Sequence, residues 1–119
     1  MVYGFKEIRY MEAVEIENRW NWGYSIHIIQ DGCGTLEIQF EDGYGWGYIT
    51  GLVVAKSRQR QGIGTELIRK AEEVIKREGY DEAQLWVEKE RVWVYEWYKR
   101  MGYKMIVDKD GFYKMRKML

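Results

Sequence analysis

Arg58-Gln59-Arg60-Gln61-Gly62-Ile63-Gly64-Thr65 joins a strand-like run, Ile49 to Val54, to a segment of strong helical period. Ile63, Leu67, Ile68, Ala71, Val74 and Ile75 recur on one face at that spacing, which predicts a helix with a core-facing stripe. Glu66/Lys70, Glu72/Lys76 and Glu73/Arg77 supply i,i+4 pairs on the wet side, and Gly79 supplies the stop. The first N–H groups of a helix have no intrahelical partner, and the aligned peptide dipoles add positive charge there. Gly62 and Gly64 lack Cβ atoms, so an anion can approach the main chain closely, flanked by Gln59, Arg60 and Gln61. The turn therefore suits a pyrophosphate.

Two common phosphate loops are excluded. No Lys-Ser/Thr follows the second glycine, and there is no third glycine for a dinucleotide fingerprint. Taken alone, a Gly-x-Gly turn is equally a tight strand-to-helix connection. A second constellation lies downstream. Arg91 to Met101 reads as a short helix with Trp93 and Trp97 at i,i+4, closed by Gly102 and followed by the strand-like Tyr103 to Val107.

The pattern Gln59, Gly62, Gly64 resembles the acyl-coenzyme A loop of the GCN5-related N-acetyltransferase (GNAT) family, and Trp97-Tyr98-Lys99-Arg100-Met101-Gly102-Tyr103 resembles its aromatic-Tyr-x-x-x-Gly-aromatic motif. The likeness covers about Gly47 to Leu119. It continues through a strand at Ala83 to Glu88, the short helix and a closing hairpin of Tyr103 to Val107, the turn Asp108 to Gly111, and Phe112 to Leu119. The fold class it implies is α+β: a mixed, mostly antiparallel central sheet flanked by helices, here as one domain over residues 1–119.

The resemblance also implies an activity. Acetyl-coenzyme A is the expected cosubstrate, with its pantetheine arm paired to the strand edge at Leu52, Val53 and Val54, an N–H near Leu52 as oxyanion donor, and its diphosphate on residues Gln59, Arg60, Gln61, Gly62, Ile63, Gly64 and Thr65. Tyr98 corresponds to the tyrosine that protonates the departing thiolate, and Arg91 stands where the family often has an asparagine that touches the cofactor. The acceptor is a primary amine, on a small molecule or as a protein lysine or amino terminus. The acceptor amine attacks directly, so no acyl-enzyme is needed. The rival reading is a binding or interaction module of the same fold that has lost transfer.

A lysine-like acceptor with a pKa of about 10.4 needs about 4.6 kcal/mol to lose its proton at pH 7. Glu37, Glu41 and Glu88 are candidate carboxylates for that step, and Thr50 could hold a water. Trp46 and Tyr48 are expected at the acceptor mouth, with Trp20 and Trp22 covering it.

The amino-terminal part departs from the family. Relatives usually place two helices between their first two strands, walling the acceptor side, whereas here only residues 1–23 precede the strand at Tyr24. Tyr10 to Trp20 reads either as one short helix or, from the alternation of Ala13 to Glu17, as a strand; the strand is preferred. The expected result is an open acceptor mouth, suited to a macromolecule, or a site completed by a second subunit as a homodimer.

Composition bounds the rest. Nineteen acidic and nineteen basic residues cancel, which argues against a nucleic-acid binder driven by counterion release. No apolar run approaches a membrane span, and a cytoplasmic location is the expectation. Cys33 is the sole cysteine, in a hairpin turn, Asp31 to Gly34, between strands at Tyr24 to Ile29 and Thr35 to Glu41; His27 is the sole histidine, on a strand face. No clustered ligand spacing suggests a metal.

Overall fold

The computed structural model describes residues 5–10 and 13–119, with side chains from Ala13 onward. Strands β1 (Phe5–Tyr10), β2 (Ala13–Trp20), β3 (Gly23–Gln30), β4 (Gly34–Glu41) and β5 (Gly47–Val54) follow one another as an antiparallel meander. Helix α1 (Ile63–Arg77) then crosses to β6 (Glu82–Glu88), which lies parallel to β5. Helix α2 (Val92–Arg100) leads to the hairpin of β7 (Lys104–Lys109) and β8 (Phe112–Met118). The eight strands form one sheet in the order β1-β2-β3-β4-β5-β6-β8-β7. Fold class and strand alternation agree with expectation, and the preferred strand for Ala13 to Glu17 is β2.

The six residues of the predicted stripe are the buried residues of α1. They meet Leu36, Ile38 and Phe40 of β4, Ile49 of β5 and Ala83 and Leu85 of β6 in one core cluster. Gly47 is held to glycine by this contact, since a Cβ there would lie 2.5 Å from Ile75 Cγ1. Both helices end in the same motif. Gly79 and Gly102 have positive φ, and N–H groups of Tyr80 and Tyr103 reach back to carbonyls of Ile75 and Tyr98.

Two expectations need correction, and a third becomes more specific: the helices flank the sheet on one face. Trp97 of α2 lies against Gly64 of α1, Tyr95 of α2 packs on Tyr113, and Glu72 of α1 takes Lys117, which is cross-strand from the core residue Ala83. Both helices therefore share one face, and among the described residues no helix covers the other. The ion pairs of α1 are also redirected. Glu72 accepts from Tyr103 Oη at 2.9 Å and from Lys117 Nζ at 3.1 Å, not from Lys76, and Arg77 donates to the buried Glu15 of β2 at 2.8 and 3.2 Å. Tertiary partners outcompete helix neighbours because they are less exposed to water. Finally, the last hairpin turns on Asp110 and Gly111 alone, both with positive φ, the geometry that matches strand twist in a two-residue turn.

In place of two helices, residues Asn21 and Trp22 connect β2 to β3. No helix among the described residues is long and apolar enough to cross a membrane.

Candidate active site

Strand β5 carries an irregularity that opens the sheet. Thr35 of β4 faces Val53, yet Glu37 faces Thr50, so Gly51 and Leu52 together oppose Leu36. The extra residue is taken up at Gly51, whose φ of +65° is strained for any residue with a Cβ. On its other edge β5 pairs with β6 only at Gly47 with Ala83 and Tyr48 with Gln84; beyond these the strands part. A cavity of about 220 Å³ occupies the gap, walled by Thr50, Gly51 and Leu52 on one side and by Trp86, Val87 and Glu88 on the other. Arg91, Val94 and Tyr98 of the α2 segment and Phe112 complete it. Gly51 was missed by sequence reasoning, although a glycine inside a strand pattern is the usual mark of a bulge.

The Gly-rich turn stands past the carboxyl end of β5. A short 3₁₀ turn, Lys56–Arg58, precedes it, and Arg60 and Gly62 have φ of +64° and +80°. Gly64 is an ordinary helical residue whose need for a missing Cβ is contact with Trp97, 3.4 Å from where that atom would stand. The positive-φ pair is therefore Arg60 and Gly62, not Gly62 and Gly64. Gly62 is the residue before α1 and no side chain caps the helix, so the N–H groups of Ile63, Gly64 and Thr65 point outward without a capping oxygen. Nothing lies within 4 Å of a Cβ at Gly62, leaving room there for an anion.

Two of the flanking side chains turn inward. Gln59 Nε2 donates to the Val54 carbonyl and Gln61 Nε2 to the Ser57 carbonyl, each at 3.3 Å. They brace the turn, and Arg60 remains as its charged neighbour. Val53, 60% exposed, and Val54 continue the strand from the cavity at Leu52 towards the turn. The slot beside Leu52 and the open space at Gly62 thus follow one another along and beyond β5. An uncapped helix start, an open Gly62 and a slot between parting strands fit a long ligand with an anionic end.

Tyr98 sits at the inner wall of that slot, 7% exposed, its ring edge-on to Tyr103 and tilted against Trp97. Burial pushes the phenol up to about 12, and the Arg91 charge offsets part of that rise. The hydroxyl has no hydrogen-bond partner among the described residues. At neutral pH it is a protonated donor on a residue that lines the slot. Of the helix tryptophans, Trp97 packs on the core while Trp93 is 70% exposed, and Val94 with Tyr98 forms the buried i,i+4 pair instead.

The candidate carboxylates separate. Glu88 and Thr50 line the slot. Glu41 belongs to a second cavity of about 240 Å³ on the open face, with Gln39, Tyr44, Trp46, Tyr48, Trp86 and Lys114. Glu37 lines neither; its Oε2 lies 3.4 Å from His27 Nε2 and 3.4 Å from Gln39 Nε2. Trp46 and Tyr48, expected at the acceptor mouth, border this second cavity. Trp20 and Trp22 do not: they stack on one another at the β2–β3 turn, where Trp20 Nε1 donates to Ser25 Oγ at 3.1 Å. Cys33 is a free thiol in the β3–β4 turn, and no group of His, Cys, Asp or Glu among the described residues is arranged to hold a metal.

Comparison with known proteins bears on this geometry. The model of the acetyltransferase (GNAT) family matches residues 4–103. Among solved structures, the PaiA N-acetyltransferase of Thermoplasma acidophilum, in complex with coenzyme A, is 20% identical with a TM-score of 0.69 over 80% of this chain and 60% of its own. A GNAT family acetyltransferase of Elizabethkingia anophelis with acetyl-CoA bound is 14% identical, TM-score 0.66, over 91% and 77%. The ribosomal-protein-S18-alanine N-acetyltransferase of Escherichia coli is 16% identical, TM-score 0.67, over 84% and 71%. These likenesses are of fold, and the chain spans three-fifths of the Thermoplasma protein's length. No curated sequence gives a significant match. The family model spans both the Gly-rich turn and the Tyr98 segment, and on that match the chain belongs to the GNAT acetyltransferase family.

Proposed function

We propose that this protein is an active N-acetyltransferase that passes an acetyl group from acetyl-coenzyme A directly to a primary amine, small or borne by a protein lysine or amino terminus. The observation that carries the reading is three features gathered around β5: the Gly51 bulge with its slot, the uncapped start of α1 beyond the strand's end, and the unpartnered hydroxyl of Tyr98, which lines the slot from α2. Acetyl-coenzyme A supplies an activated acyl group and a thiolate leaving group. The N–H groups of Ile63, Gly64 and Thr65 hold its diphosphate with Arg60 beside them, while Leu52 N–H polarises the thioester carbonyl.

Tyr98 donates its proton to the departing sulfur. A phenol near 12 and a thiol of about 8.5 are mismatched in water, but a thiolate in the same dry slot is disfavoured for the same reason, which narrows the gap. Arg91 narrows it further by lowering the phenol. Glu88 and Thr50 line the slot and relay the amine's proton outward through water.

Thiol release, followed with a panel of polyamines, amino acids and lysine peptides, tests the reading. Acceptor-dependent release that is lost in Tyr98→Phe is expected. Tight acetyl-coenzyme A binding with no release on any acceptor would favour a binding module of the same fold.

A further inference from the structure

The second cavity already holds a cation. Lys114 Nζ lies 5.3 Å from the centroid of Trp46 and 5.7 Å from that of Trp86, and none of its contacts is an ion pair. An ammonium between two indole faces, with the Glu41 carboxylate and the Tyr44 and Tyr48 rings on the surrounding walls, is in a field built for positive charge. Lys114 is cross-strand from Trp86, on a flexible stem that can swing out to solvent. Tyr48 and Trp86 also wall the slot, so the two cavities adjoin.

We propose that Trp46 and Trp86 form a box for a protonated nitrogen of the acceptor, which Lys114 occupies as a resident competitor until the acceptor displaces it. This rests on the transferase reading above. The nitrogen held there is not the one acetylated. A box that stabilises ammonium raises that group's pKa, and the attacking amine must instead lose its proton. The favoured acceptor therefore carries two basic nitrogens: one held between the indoles, the other free to enter the slot. A diamine, or a lysine beside a second basic residue, has that chemistry.

The test compares kcat/KM for alkyl monoamines with diamines of equal chain length, and for lysine peptides with and without a neighbouring arginine. The doubly basic acceptors should be preferred about two- to thirty-fold. That ratio should fall to near one in Trp46→Leu and only partly in Trp46→Phe, while Lys114→Met should raise kcat/KM for the dications. Preference confined to peptides marks a protein lysine as the source, and preference among diamines marks a small amine. A ratio near one in the unmodified protein, a ratio that survives Trp46→Leu, or a fall in dication use by Lys114→Met would each overturn the proposal. Tetramethylammonium titrated without acetyl-coenzyme A should shift the indole N–H resonances of Trp46 and Trp86. That readout survives if no acceptor releases thiol, so it separates a failed box from a failed transferase; unshifted indoles contradict the box.

Discussion

One face of the sheet is closed by helices, and among the described residues the other is closed by nothing larger than its own side chains. Under α1, residues such as Leu67, Ile68 and Ile38 are wholly buried, and even the charge there, Glu15, is matched by the two-toothed Arg77. On the open face, β4 presents Glu37, Gln39 and Glu41, β3 presents His27, and the aromatic rings of Trp46, Tyr48 and Trp86 stand half-covered around the second cavity. On the proposed reading the donor side draws on the closed half, where β5, α1 and α2 fix the turn, the bulge and Tyr98, and the acceptor side is the open face. Stability and cosubstrate binding should therefore reside in one half of the molecule and acceptor choice in the other, an arrangement that tolerates a large incoming partner.

That contrast can be broken most severely from the closed face. Leu67→Ala removes a fully buried side chain from the centre of the stripe and should cost about 2–5 kcal/mol in denaturant unfolding. Next, Tyr98→Phe should lower turnover by about 10²-fold with coenzyme A affinity preserved in calorimetry. Because the phenol lies near 12, kcat/KM of the unmodified enzyme should climb with pH from 7 to 9 as the amine deprotonates, with no falling limb in that range. Unchanged turnover in Tyr98→Phe, with chemistry shown to limit the rate, removes it from the acid role.

Smaller still is Gly62→Ala. A Cβ at φ of +80° costs about 1–2 kcal/mol of stability and projects into the space assigned to the diphosphate, so coenzyme A should bind more weakly. The mildest effect belongs to the open face: Glu37→Ala breaks a part-exposed contact with His27 and should change stability by less than about 0.5 kcal/mol. If Glu37→Ala destabilises as much as Leu67→Ala, the faces do not differ as described.

The regular parts of the fold were legible because each rests on local periodicity. The α1 stripe, the alternation of β2 to β4 and the glycines at 79 and 102 are all signals within one element. The irregular and long-range parts were not. The Gly51 bulge hides inside an apolar run that reads as uninterrupted strand, and the positive φ at Arg60 contradicts what its side chain prefers. Partners such as Glu15 with Arg77, 62 positions apart, follow only from the assembled sheet. The site was half readable for the same reason: the turn and Tyr98 sit in contiguous motifs, whereas the Trp46–Lys114–Trp86 cluster joins the loop before β5 to strands β6 and β8. Placement of both helices on one face is what the right-handed rule expects of two parallel crossovers, β5-α1-β6 and β6-α2-β7, that step the same way across the sheet, a rule about topology that no single segment displays.

An amide-resolved NMR titration with coenzyme A tests the central claim most directly. The account predicts the largest shifts at the N–H groups of Gly62, Ile63, Gly64 and Thr65 and along Leu52 to Val54, with the β2–β3 turn at Trp22 silent. Saturating coenzyme A that leaves those amides unmoved, or that moves the open face instead, would contradict it.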